Sequence, residues 1–106
     1  MQSETATLID DYLVHLRHER NLSPHTIEAY QHDLSHFSQF CEHSKIGNLR
    51  QVASDQVRHF AATLHRRGMS SRSIKRALSA VRGLYQYLLR ENRVNVNPAV
   101  DIAAPK

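Results

Sequence analysis

Arg72, Lys75, Arg76, Arg82 and Arg90 recur at spacings of three, one, six and eight, inside a stretch from Gln56 to Arg90 that holds no carboxylate. At roughly 100° per residue, a helix gathers all five into one sector about 120° wide. Ser79, Gly83 and Gln86 fall in the same sector, and Ile74, Ala77, Leu78, Val81, Leu84, Tyr85 and Leu88 fall opposite. One face of such a helix belongs to a core and the other shows a row of cations. The chemistry open to that row is anion binding, most economically to the phosphate backbone of a nucleic acid. A merely solvated face usually mixes signs, often with Glu–Lys pairs four residues apart; here like charges repel one another. Gly83 in mid-helix costs about 1 kcal/mol relative to Ala, which close approach of another backbone would explain. The alternative is a helical protein–protein interaction module whose basic face docks an acidic partner.

The rest of the chain offers no competing chemistry. Serines are abundant, but several read as helix caps, and no G-x-S-x-G, P-loop or G-x-G-x-x-G is present. His32 and His36 have metal-ligand spacing and share an outer helix face with His25. No Cys joins them and no Glu follows His32, so exposed polar histidines are the better reading. Tyr12, Tyr30, Tyr85 and Tyr87 fall on or near core faces, where an aromatic body with a polar tip is ordinary packing. Binding is left as the function of this chain.

Charge is distributed as a binding face requires. Residues 1–53 carry four Lys/Arg against seven Asp/Glu, and residues 54–106 carry ten against three. The formal charge of +4 is therefore localised in the second half. Cys41 is alone, which excludes a disulfide framework or a Cys-rich zinc site and suggests a reducing cytoplasm. No apolar run reaches membrane-spanning length, and Met1-Gln2-Ser3-Glu4 lacks the basic and apolar regions of a signal peptide. The expectation is a soluble cytoplasmic protein.

Helices must position the basic row, because strand signals are nearly absent and helical periodicity is strong in four places. The first helix is predicted from about Thr5 to Arg20. Asn21-Leu22-Ser23-Pro24 stops it and starts a second, with Ser23 as cap and Pro24 at the first helical position, running to about Cys41. Lys45 to Asn48 is a loop. Ser54 is expected to cap a third helix that Gly68 stops. Ser70 or Ser71 caps the fourth, basic helix, which frays near Asn92. Asn97-Pro98 looks like the start of a short fifth. The predicted fold is all-α, four main helices plus that short one around a single core, with Leu16, Ile27, Tyr30, Leu34, Phe37, Phe60, Leu64, Leu78, Val81 and Leu88 buried together.

Four segments carry a resemblance. Asn21-Leu22-Ser23-Pro24-His25-Thr26-Ile27-Glu28-Ala29-Tyr30, with Asp33-Leu34 and Phe37, resembles the second-helix signature of the tyrosine recombinases. Leu78-Ser79-Ala80-Val81-Arg82 with Leu84-Tyr85-Gln86-Tyr87-Leu88 resembles that family's fourth helix. Asn97-Pro98-Ala99 and Ala104-Pro105-Lys106 resemble its approach to the interdomain linker. The chain looks like the N-terminal core-binding domain of a bacterial recombinase of the XerC type, with the XerD type or a related integrase close by. The resemblance implies a SAM-like bundle over residues 1–102, linker from 103–106, and half of a C-shaped clamp on double-stranded DNA. It further implies action with a XerD-type partner recombinase at dif-like sites, where chromosome dimers are resolved, and no metal or nucleotide cofactor.

The family's catalytic Arg, Lys, His-x-x-Arg, His and Tyr lie in a second domain. No His-x-x-Arg occurs here, so this stretch is expected to be inert by itself. The expected DNA-facing residues are Arg72, Ser73, Lys75, Arg76, Ser79 and Arg82 of the fourth helix, supported by Ser23, His25 and Thr26 of the second.

Overall fold

A computed structural model describes residues 4–19 and 21–105. Among them are four α-helices, α1 (Glu4–Glu19), α2 (Pro24–His43), α3 (Ser54–Arg66) and α4 (Ser71–Arg90), and a 3-10 turn at Leu49–Gln51 between α2 and α3. No strand occurs among the described residues. Arg20, the expected end of the first helix, and Lys106 lie outside them.

The helix ends follow local chemistry. Ser23 and Ser70 cap α2 and α4, each accepting the backbone N–H three residues on, at 3.2 and 3.1 Å. Ser54, the expected cap of α3, is already helical: Ala53 is the cap residue, and the Gln56 side chain reaches back to accept its N–H at 2.7 Å. That register is the one that buries Val57, Phe60, Ala61 and Leu64. At the other end of α3, Gly68 takes φ +84° while its N–H bonds to His65 and that of Met69 bonds to Leu64. This pair of hydrogen bonds closes the helix in a left-handed residue. Lys45 and Asn92 close α2 and α4 in the same way, with φ +59° and +58°.

The apolar faces meet in one core. Leu16, Ile27, Leu34, Phe37, Phe60, Leu64, Leu78, Val81 and Leu88 are all buried in it as expected, whereas Tyr30 is only half-buried at its edge. Phe37 stands edge-on to both Phe60 and Tyr85, at 5.2 and 6.5 Å between ring centres. The Tyr85 hydroxyl donates to the Leu49 carbonyl at 2.8 Å and so ties the 3-10 turn to α4. α2 and α4 pack against each other more extensively than any other pair.

The expected fifth helix is a turn. Asn97 does act as a cap, its Oδ1 accepting the Ala99 N–H at 3.0 Å, but only residues 98–101 turn before the chain extends again. Arg82 donates to the Ala99 and Ile102 carbonyls and so ties this turn to α4. Ala99 and Ile102 are buried against the core.

Candidate nucleic-acid interface

The exposed face of α4 separates into free and committed cations. Arg72 and Lys75 are exposed and make no ion pair among the described residues. They stand in the first turns of the helix, at the positive end of its dipole, where cations are unfavourable and anions favourable. No acidic residue occupies the first turn of α4 or of α2, while α1 carries Glu4 and α3 carries Asp55 there. A bound anion would relieve this arrangement; an isolated helix gains nothing from it.

Arg76 is held. Its Nε and Nη2 donate to the two carboxylate oxygens of Asp33, both at 2.9 Å. Asp33 is 1% exposed, whereas the Arg76 side chain is 42% exposed. The hydrogen bond to Asp33 raises the Arg76 pKa further above its ordinary value. Asp33 shares a stripe of α2 with Thr26 and Tyr30, the three lying within roughly 60° of one another. That stripe is how α2 reaches the basic face.

Arg82 is also held, but by neutral groups. Its Nε donates to the Ala99 carbonyl and its Nη2 to the Ile102 carbonyl, each at 3.1 Å, while Asn97 Nδ2 donates to the Arg82 carbonyl at 3.2 Å. Its charge is not neutralised and still adds to the field of the face. Arg90 lies farther along and bonds to the His15 ring at 3.2 Å. Ser79 is exposed and lines a cavity of about 200 Å³ with Arg82, Gly83 and Gln86 of α4, Leu22 and Tyr30 from the second-helix segment, and Tyr12 of α1.

The remaining expected residues serve the helix ends. The Ser23 and Thr26 hydroxyls are 3.0 Å apart at the start of α2, next to exposed His25. The Ser73 amide and hydroxyl both bond to Ser70. The structure therefore joins Arg76 to Asp33 directly and groups Arg72, Ser73 and Lys75 on the opening turns of α4. It gives no direct bond between Ser23, His25 or Thr26 and the α4 cations.

Gly83 has a different cause from the one its position suggested. A Cβ there would press into the Tyr12 hydroxyl, so the close approach is by a side chain of α1 and not by a foreign backbone. The sequence pattern places Asn97 at the start of a turn and Asp33 in the second-helix signature, but shows neither the Asn97 bond to the Arg82 carbonyl nor the Asp33 bonds to Arg76. The signal for Asp33 was available: it is a carboxylate on the Thr26–Tyr30 stripe, where α2 meets another helix.

Among the described residues, no group of three or more His, Cys, Asp or Glu is placed to hold a metal ion. None of the described helices is long and apolar enough to cross a membrane. Cys41 is buried, and burial pushes its thiol up to about 11.

The model of the phage integrase N-terminal SAM-like domain family matches residues 9–92. The chain is 44% identical over 98 residues to the tyrosine recombinase XerC of Pseudomonas syringae pv. tomato. It is 46% identical to that of Pseudomonas fluorescens and 45% to that of Pseudomonas aeruginosa LESB58 over the same length. Each match covers 92% of this chain, which spans about a third of these relatives' length. The crystal structure of the N-terminal domain of a phage integrase/site-specific recombinase from Haloarcula marismortui superposes with a TM-score of 0.81, covering 97% of both chains at 19% identity. At that identity the likeness concerns the fold.

Proposed function

The chain belongs to the phage integrase N-terminal SAM-like domain family, alongside XerC tyrosine recombinases, and from that premise we propose that it grips double-stranded DNA as one half of a recombinase clamp. The observation that carries the proposal is the pair of cations, Arg72 and Lys75, without an ion pair among the described residues, on the carboxylate-free face of α4 at the positive end of that helix. Ser79 and Arg82 extend the face, and Ser23, His25 and Thr26 at the start of α2 flank it. Most of these contacts go to phosphates, which set position and orientation on the duplex.

Catalysis belongs to another part of the parent recombinase, joined through residues 103–106. That protein acts with a XerD-type partner at dif-like sites to resolve chromosome dimers. Two half-clamps on one tether make the second contact intramolecular, which raises avidity with no new contact. The domain by itself is thus a weak binder whose affinity salt erodes.

The test is binding of this chain to labelled dif-like and scrambled duplexes across a salt series, with unlabelled duplex and a polyacidic protein as competitors. Duplex DNA should displace the label and the acidic protein should not. Preference for the acidic protein would instead favour the protein-docking reading of the same face.

A further inference from the structure

Asp33 grips Arg76 by one edge and leaves the other open. A side-on carboxylate takes the Nε and Nη2 hydrogens, as both 2.9 Å bonds show. The free hydrogens are then those of the terminal fork, one on Nη2 and two on Nη1. That fork matches two acceptors side by side, and the guanidinium plane is already fixed by a carboxylate that is 1% exposed. In the major groove the matching pair is O6 and N7 of guanine.

We propose that Arg76 reads a guanine from the α4 face and that Asp33 is its positioning residue. The inference rests on the reading that this face binds duplex DNA. Charge bookkeeping separates Arg76 from its neighbours. Arg72 and Lys75 have no counter-charge among the described residues, so they displace counterions from phosphates. Arg76 carries its own counter-charge in Asp33 and adds little net attraction to a uniformly anionic backbone. It is better suited to discrimination than to affinity. Holding the plane in advance also removes the ordering cost that an unsupported arginine would meet on contact.

The experiment uses the 106-residue chain and a pool of duplexes randomised over the contacted window, sequenced before and after binding at low salt. The unaltered chain should enrich guanine at one position or more. Arg76→Lys keeps the charge and can still pair with Asp33, but it lacks the fork. It should lose about ten-fold in preference at one guanine position, with the salt slope on scrambled duplex unchanged. Asp33→Asn should relax the same position while binding scrambled duplex more tightly and with a steeper salt slope, because a negative charge has been removed beside the face. A purely structural ion pair has no reason to give that opposite pair of effects.

Retention of every base preference in Arg76→Lys would overturn the proposal, as would a salt slope that fell in that variant. Should Asp33→Asn not fold, Arg76→Lys decides alone. Duplex binding with no base preference in the unaltered chain would overturn this inference and leave the DNA-binding reading standing. No duplex binding at all would overturn both.

Discussion

The Tyr12 hydroxyl fills the space that a side chain at residue 83 would need. Tyr12 is 4% exposed, so its ring has little freedom to retreat. Gly83 is the gap in α4 that lets α1 dock there. Gly83→Ala should therefore destabilise the fold by about 1–3 kcal/mol from overpacking, partly offset by the gain of about 1 kcal/mol in helix propensity. Tyr12→Phe in the same background should recover part of the loss. Chemical denaturation of the parent and the two variants checks this; a Gly83→Ala variant more stable than the parent would contradict it.

Tyr85 and Leu49 make a second joint, through a hydroxyl buried in the core. Tyr85→Phe leaves the Leu49 carbonyl without that donor and should cost about 1–3 kcal/mol. Hydrogen exchange should rise first at the 3-10 turn and the start of α3. Uniform loss of protection across all four helices would show that the bond supports the core at large and not this joint.

Burial holds the Cys41 thiol neutral up to about pH 11, against an ordinary value of 9.0. The folded pKa is raised, so the stability tied to it is fully present below about pH 9 and falls away as pH rises toward 11. Tyr85 is raised as well, chiefly by burial, and extends the loss to higher pH. The Cys41 part is on the order of 3 kcal/mol. Cys41→Ala should flatten the stability curve between pH 9 and 11 while lowering stability near neutrality through the lost volume. An alkaline slope identical in parent and variant would contradict the assignment.

The helices were legible because each carries its own period, to which α2 and α4 add a capping serine and α3 a closing glycine. Ser23, Ser70 and Gly68 did what their positions announced. Ser54 did not, because Gln56 supplied a bond from the opposite direction and packing of Val57 and Phe60 decided the register. The basic face was legible as a periodicity. Its division was not, since Asp33 lies 43 residues before Arg76 in the chain, and Ala99 and Ile102 lie 17 and 20 after Arg82. Those partners follow from how α2 and the C-terminal turn cross α4, which no local pattern encodes.

The tethered-clamp reading makes a comparative prediction. On one duplex at near-physiological salt, a parent recombinase carrying both halves should bind more tightly than this domain, by a factor of about 10² or more. Equal affinity and selectivity would make the domain a self-sufficient binder and remove the need for a clamp.

The central claim, that unpartnered Arg72 and Lys75 meet DNA phosphates, is tested most directly by the salt dependence of the Arg72→Ala/Lys75→Ala variant on a dif-like duplex. Each lost phosphate contact removes about 0.9 from the slope of log affinity against log salt. The double variant should therefore bind more weakly, with a slope shallower by about two units and a melting temperature no lower than the parent's. Affinity and slope equal to those of the parent would contradict the account.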